Sequence, residues 1–476
     1  MKVRPNYADR ALGGLIAWCL LMLAALMLRD GSGNPRLLIL VGTLLGFLGI
    51  ALRFNQENKI RVALALSSFL IPLYLVEVFF FFQLSGAFPD AFVQLEHRAM
   101  AAQKYGQTTF DLRSKVQVVE DLRREGIDAF PSSGPSLFLG SNGLPSRETP
   151  DATILPLAGI SNKATVLCNE TGTWSVYESD EHGFNNPKGL YDHPQWDVAL
   201  IGDSFTHGAC VNPGEDVGSQ LRKRRGPQEV VASLGSWGNG PLLELATLKE
   251  YARPFKPRAV FWLYYEHNDL AARDVLMEAH TALLKQYLEE RAFSQRLLAR
   301  QAEIDSALAT YIAEAQRKLE GQEEQDASEG SQDEITLADW KGIPNFYHLR
   351  SMLRDLRTKL SLSGYFGERN HAWLRRTLVE AKDEVASWDG TLYFVYLPTW
   401  KRYTRFVNQD NLYDRRKVLA LVEELGIPVV DFHETIAADP DPQSFFPFHI
   451  HAHYTPEGYR RLAEQLDKAL SDGATD

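Results

Sequence analysis

Val198-Ala-Leu-Ile-Gly-Asp-Ser-Phe-Thr-His-Gly208 is the stretch on which the reading of this chain turns. An apolar run from Val198 to Ile201 stops at Gly202, and Asp203 and Ser204 follow at once. A short, wholly apolar run closed by a turn signal reads as a strand buried on both faces, as in a parallel sheet. Gly202 permits an abrupt change of backbone direction, and Asp203 holds the turn through its side chain. Ser204 is thereby delivered to the C-terminal edge of a sheet, where the next helix begins and where open α/β sheets carry their sites. The first N–H groups of that helix point at whatever the serine attacks. The same residues suit an ordinary strand-to-helix turn equally well, and the rest of the chain decides between the two.

Around this stretch, strands alternate with helices, the pattern of a parallel sheet with right-handed crossovers. The strand candidates are 197–201, 230–234, 259–265, 392–397 and 428–431, all dense in Val, Ile, Leu and aromatics. A long helical insertion, about 271–388, separates the third from the fourth. Leu276, Leu283, Leu284, Leu288, Leu297, Ile304, Leu308, Ile312 and Leu319 recur there with a helical period. The insertion suits a lid or a partner surface but is expected rather to be a solvated decoration, with 321–334 an acidic mobile loop and helices near 346–361 and 371–388 returning the chain to the sheet.

The N-terminal region differs in kind. Residues 11–28, 37–52 and 62–82 are apolar runs, which predict three membrane helices within an anchor spanning residues 1–88. Lys2, Arg4 and Arg10 precede the first run and Arg53, Lys59 and Arg61 lie between the second and third, against Arg29 and Arg36 between the first and second. This asymmetry predicts a cytoplasmic N-terminus and a main domain outside, in a bacterium the periplasm beyond the inner membrane. Glu77, inside the third run, suggests a partner helix or a position near the interface. Residues 89–153 are read as a juxtamembrane helix, capped by Asp111 and stopped at Gly126, followed by a Gly/Ser/Pro linker from Pro131 to Pro150. Residues 154–195 are read as a small β extension.

Of 476 residues, 45% are apolar and 23% charged, with a formal net charge of −11, a globular composition that argues against nucleic-acid binding. Three cysteines are too few for a disulfide scaffold. Cys19 lies in an apolar run. Cys168 and Cys210 fall in the part placed outside the membrane and are expected to form one bridge.

At the tips of successive strands the chain carries Gly202-Asp-Ser204, then Leu234-Gly-Ser-Trp-Gly-Asn-Gly240, then Glu266-His-Asn-Asp-Leu270, and before the last helix His449-Ile-His-Ala-His-Tyr-Thr-Pro-Glu-Gly458. In order and spacing these four blocks resemble the SGNH (GDSL-type) hydrolase superfamily over roughly residues 196–470. The resemblance implies a flavodoxin-like three-layer αβα domain, about 196–472. It also implies Ser204 as nucleophile, His453 as base, and the N–H groups of Ser204 and Gly238 with the Asn268 amide as donors to the oxyanion. Acyl transfer needs such a set. Thr455 and Pro456 cap the last helix and place His453 just ahead of it.

Two positions depart from the family pattern. Glu266 and His267 precede Asn268 where a glycine usually opens the block, and are expected to crowd the site. The family's aspartate, two or three residues before the histidine, is replaced by His451 or Ile450. Either a backbone carbonyl orients His453, or an acid arrives from elsewhere in the fold, or the domain is catalytically impaired. Alternating His449, His451 and His453 raise a metal site, but no carboxylate or cysteine stands at ligand spacing, so neither metal nor cofactor is expected.

The expectation that follows is a membrane-anchored esterase acting on O-acyl esters of a cell-envelope glycan or lipid. The alternatives are an O-acyltransferase using the same site with a many-span membrane partner, and a non-catalytic glycan-binding component. Trp237, Tyr264, Tyr265 and Trp400 lie near strand ends and suit sugar stacking or core packing.

Overall fold

The computed structural model describes residues 9–10, 12–17, 20, 35–85, 91–139, 154–329, 366–404 and 412–473. The chain divides into two units, Met1–Pro89 with Glu329–Arg357, and Asp90–Ser328 with Thr358–Asp476.

In the first unit, helices Pro35–Ala51 and Gln56–Ser85 pair, with Leu12, Leu48 and Ala63 packed together and Lys59 Nζ 2.8 Å from Asp9 Oδ1. Glu77 is buried. Among the described residues one helical stretch, Gln56–Glu77, is long and apolar enough to cross a membrane, with mean hydropathy 1.7. Among the described residues, three crossings are therefore not supported, and one candidate stands. The second run forms a helix of 17 residues, roughly 26 Å at 1.5 Å per residue and short of the ~30 Å hydrocarbon core. Most of the first run, 11–28, lies outside the described residues.

The second unit opens with helix Ala91–Lys104 and helix Lys115–Arg124. Ser114 rather than Asp111 caps the latter, in a capping box with Gln117. Asp111 instead pairs with Arg113. Three short strands, β1 (Ala129–Pro131), β2 (Ala164–Val166) and β3 (Val176–Glu178), form a small sheet, β1 parallel to β2 and β2 antiparallel to β3. The β extension thus begins before residue 154. The predicted linker is in part a packed turn: Pro135 and Phe138 are buried in a 3₁₀ segment, while residues 140–153 lie outside the described residues.

The main sheet comprises β4 (Val198–Gly202), β5 (Val231–Gly235), β6 (Ala259–Tyr265), β7 (Thr391–Leu397) and β8 (Val429–Asp431), all parallel in the order β5-β4-β6-β7-β8. Alternate residues feed two cores, as a sheet covered on both faces requires. Ala199, Ile201, Trp262 and Tyr264 join one; Val198, Leu200, Phe261 and Leu263 join the other. The second face is covered by helices Val217–Arg225 and Pro456–Gly473, and the first by Pro241–Thr247 and Glu368–Ala386. This is a three-layer αβα domain with a flavodoxin-like strand order.

The insertion is not a solvated decoration. Leu284, Tyr287, Leu297, Ile304, Leu308 and Ile312 are buried in the first core, so its apolar period is spent on packing. The helix Gln301–Glu329 also runs through most of the stretch expected to be a mobile loop. Residues 330–365, including the helix expected near 346–361, lie outside the described residues.

Candidate active site

The turn after β4 is built as its sequence suggests. Asp203 caps the short helix Ser204–His207, its Oδ1 accepting the Phe205 N–H at 2.9 Å. A Cβ on Gly202 would meet Thr206 Oγ1 at 2.2 Å and the Leu263 carbonyl at 2.9 Å, so only glycine lets the helix turn back this closely over β6. Ser204 Oγ lies 2.9 Å from His453 Nε2, bringing together residues 249 positions apart. The His453 ring is held from the sides by Phe205, at 4.7 Å between centroids, and by the half-exposed Trp237, at 5.4 Å.

The third member of the relay comes from the β extension. Glu170, in the loop between β2 and β3, places Oε2 3.1 Å from His453 Nδ1 and 2.7 Å from the His453 backbone nitrogen. Its other oxygen accepts from Arg98 at 3.0 Å. Burial acts to raise the Glu170 carboxyl, but the His453 ring beside it, and then Arg98, outweigh burial and hold it at about 2. Of the three possibilities left open by the missing aspartate, the structure takes the second: an acid from another part of the fold. Disulfide Cys168–Cys210, with Cα atoms 5.0 Å apart, joins this loop to the segment that follows the serine, as expected from the sequence.

Asn268 donates to Asp203 Oδ2 at 3.3 Å and so sits against the residue preceding Ser204. Burial pushes the Asp203 carboxyl up to about 6, against the Phe205 N–H, His453 and Asn268, which favour its charge. Gly238 follows Trp237 and adopts φ +72°; a Cβ there would fall 2.5 Å from Ser136 Oγ. The second block is thereby packed against the 3₁₀ turn near residue 136 while it edges the histidine.

Glu266 does not crowd the site. It turns inward and is wholly buried with Arg402, whose Nε lies 3.0 Å from both carboxylate oxygens, and it also accepts from the Thr399 N–H at 2.7 Å. The three alternating histidines part company: His449 stacks on Tyr105 at 4.5 Å, His451 lies beside His267 at 5.7 Å, and His453 alone meets the serine. Glu170, Cys210 and His453 bring possible ligand atoms within 4.8 Å of one another, but the Cys210 sulfur is committed to the disulfide, leaving two donors, too few for a structural zinc.

Glu170 and Arg98 were not among the sequence candidates. A signal for Glu170 existed: a bridge from Cys168 to Cys210 brings the neighbours of Cys168 toward the segment that follows Ser204.

A parallel sheet of this order, with the serine and the histidine in two of the four blocks and the carboxylate supplied from the β2–β3 hairpin outside the sheet, is the architecture expected of an SGNH (GDSL-type) hydrolase. Solved structures of that kind are similar in fold. A lipase/acylhydrolase from Enterococcus faecalis is 14% identical, covering 58% of this chain and 95% of its own, with a TM-score of 0.31. A GDSL-like lipase from Bacteroides thetaiotaomicron is 10% identical over 58% and 88%, with a TM-score of 0.30. A carbohydrate acetylesterase family member from Sinorhizobium meliloti is 10% identical over 58% and 97%, with a TM-score of 0.26. At these values the likeness adds nothing to the strand order and relay geometry. No protein-family model and no curated protein matches the chain.

Proposed function

We propose that this chain is a serine esterase that cleaves O-acyl esters of a cell-envelope glycan or lipid, held at a bacterial inner membrane by its N-terminal apolar segment with the main domain in the periplasm. The observation that carries the reading is the continuous relay from Ser204 Oγ through both ring nitrogens of His453 to Glu170. Ser204 attacks the acyl carbon while His453 Nε2 takes its proton, and Glu170 holds the Nδ1–H and favours the imidazolium that forms. The N–H groups of Ser204 and Gly238 and the Asn268 amide are assigned to the oxyanion. As the tetrahedral intermediate collapses, the proton on His453 passes to the departing alcohol and the acyl group stays on Ser204. Water, activated by the same histidine, then releases the acid.

The disulfide supports a non-cytoplasmic site, since such bridges persist in oxidising compartments. Trp237, 38% exposed beside His453, supports a sugar ring as the carrier of the ester, an aromatic face suited to stacking. The same acyl-enzyme serves an O-acyltransferase when a sugar hydroxyl replaces water, with a many-span membrane protein as acyl supplier. The reading of a non-catalytic binding component loses its main motive now that Glu170 fills the place of the missing acid.

The experiment is labelling of the full chain with a fluorophosphonate, together with hydrolysis of p-nitrophenyl acetate. Wild type is expected to label at Ser204 and to turn over, and Ser204→Ala to do neither; an unlabelled wild type without turnover would sink the assignment.

A further inference from the structure

The acid of the relay stands on a loop that the main domain does not build. Residues 167–175 form a hairpin closed by the Leu167 N–H to Ser175 carbonyl bond at 2.8 Å. On one side the disulfide ties it to Cys210. On the other it is clasped by the segment following the apolar helices. Asn169 Nδ2 donates to the Asp111 carbonyl at 2.8 Å, and the Asp111 N–H donates to the Gly172 carbonyl at 2.9 Å. Gln107 Nε2 donates to the Thr171 carbonyl at 3.0 Å, so close that a Cβ on Gly172, at φ +100°, would fall 1.9 Å from that nitrogen.

Within this clasp Arg98, on helix Ala91–Lys104, makes the contact that bears on chemistry. A single nitrogen, Nη2, donates both to Glu170 Oε1 at 3.0 Å and to the His451 carbonyl at 3.1 Å. One group therefore fixes the acid and the strand of chain leading to His453 relative to each other. A carboxylate is nearly free to rotate about its last bond. With Oε1 pinned by Arg98, Oε2 stays aimed at both the backbone nitrogen and Nδ1 of His453.

We propose that Arg98 is a positioning residue for the reaction, acting through Glu170 and the His451 carbonyl, and that it makes turnover depend on the helix joining the esterase domain to the apolar N-terminal segment. This rests on the Ser204–His453–Glu170 reading above. Misplacement of a catalytic group by about an ångström can cost on the order of 100-fold in rate. Removing the pin should therefore act on turnover and leave substrate binding alone.

The test is a double-mutant cycle in the full chain, read as kcat and KM for p-nitrophenyl acetate and as the fluorophosphonate labelling rate of Ser204. Arg98→Met is expected to lower kcat roughly 10- to 100-fold with KM unchanged, and Arg98→Lys to recover most of the loss. In a Glu170→Gln background Arg98→Met is expected to cost clearly less than in wild type, because groups that act as a unit are not additive and only the His451 contact is then left to lose. Arg98→Gln runs the same cycle should Arg98→Met not accumulate. Unchanged kcat in the single variant, or an equal loss in both backgrounds, overturns the inference. An unlabelled, inactive wild type would instead overturn the serine-esterase reading, so the two failures are told apart.

Discussion

Glu170 Oε2 accepts the His453 backbone N–H at 2.7 Å and lies 3.1 Å from Nδ1 of the same residue, so one oxygen orients both the chain and the ring of the proposed base. This geometry fixes the tautomer: Nδ1 carries the proton toward Glu170, and Nε2 is left to accept from Ser204. Glu170→Gln can present an N–H to the ring and invert that choice. Turnover is expected to fall roughly 10³- to 10⁴-fold, the scale seen when a triad loses its carboxylate. Steady-state hydrolysis with a melting curve on the same sample checks it; a folded Glu170→Gln enzyme at wild-type turnover removes Glu170 from the mechanism.

The disulfide spans a sequence separation of 42 residues and lies against the relay, Cys210 Sγ being 3.8 Å from His453 Nδ1. Its loop-closure contribution is about 4 kcal/mol on the chain-entropy model. Cys168→Ser, or incubation of wild type with dithiothreitol, is expected to lower both the unfolding midpoint and kcat. Ser204 should still label, more slowly, because its contact with His453 needs no bridge. Full activity in a sample shown by thiol titration to be reduced would contradict this.

Glu266 and Arg402 test the opposite assignment, a charged residue in a signature block with a structural job. Both side chains are fully buried, and Glu266 satisfies Arg402, Tyr396 and the Thr399 N–H together. Removing one partner of such a pair costs about 3–5 kcal/mol, since the other charge is left buried and uncompensated. Glu266→Gln should thus shift the urea midpoint strongly downward while the folded fraction keeps labelling at Ser204. Loss of labelling with an unshifted midpoint would return Glu266 to the site.

The five strands of the main sheet were legible because each is a short apolar run closed by a turn, and covered faces leave no other use for such runs. Ser204 and His453 stood in blocks that the resemblance to the SGNH superfamily singles out, and the fold brings these two together. Glu170 was not legible in that way: it belongs to a hairpin outside the sheet, and its approach to His453 is set by the disulfide and by residues 98–111, long-range contacts that leave no periodicity. The insertion shows a related limit. Its helical period was plain, but a period says that one face is buried, not against what, and Leu284, Ile304 and Leu308 turn out to complete the main core. Glu266 shows the same limit for charge, since nothing near it in sequence announces that Arg402 folds back over it.

The last prediction concerns acid. The Glu170 carboxyl lies at about 2 in the folded protein, against an ordinary value of 4.5, because His453 and Arg98 outweigh its burial. A folded-state value below the unfolded one means that the folded state favours the charged form. The resulting stability is fully present above 4.5 and is lost as pH falls from 4.5 toward 2, with a size on the order of 3 kcal/mol. Asp203 works the other way: burial pushes it up to about 6 from 3.8, so its contribution is full below 3.8 and lost as pH rises through 6. Wild type alone would mix the two. The difference in urea midpoint between wild type and Glu170→Gln cancels Asp203, which both proteins retain. That difference is expected to shrink steadily between pH 4.5 and pH 2. Tryptophan fluorescence across a urea series at each pH measures it, and a gap that stays flat to pH 2 would mean that Glu170 is not held as a charged partner of His453.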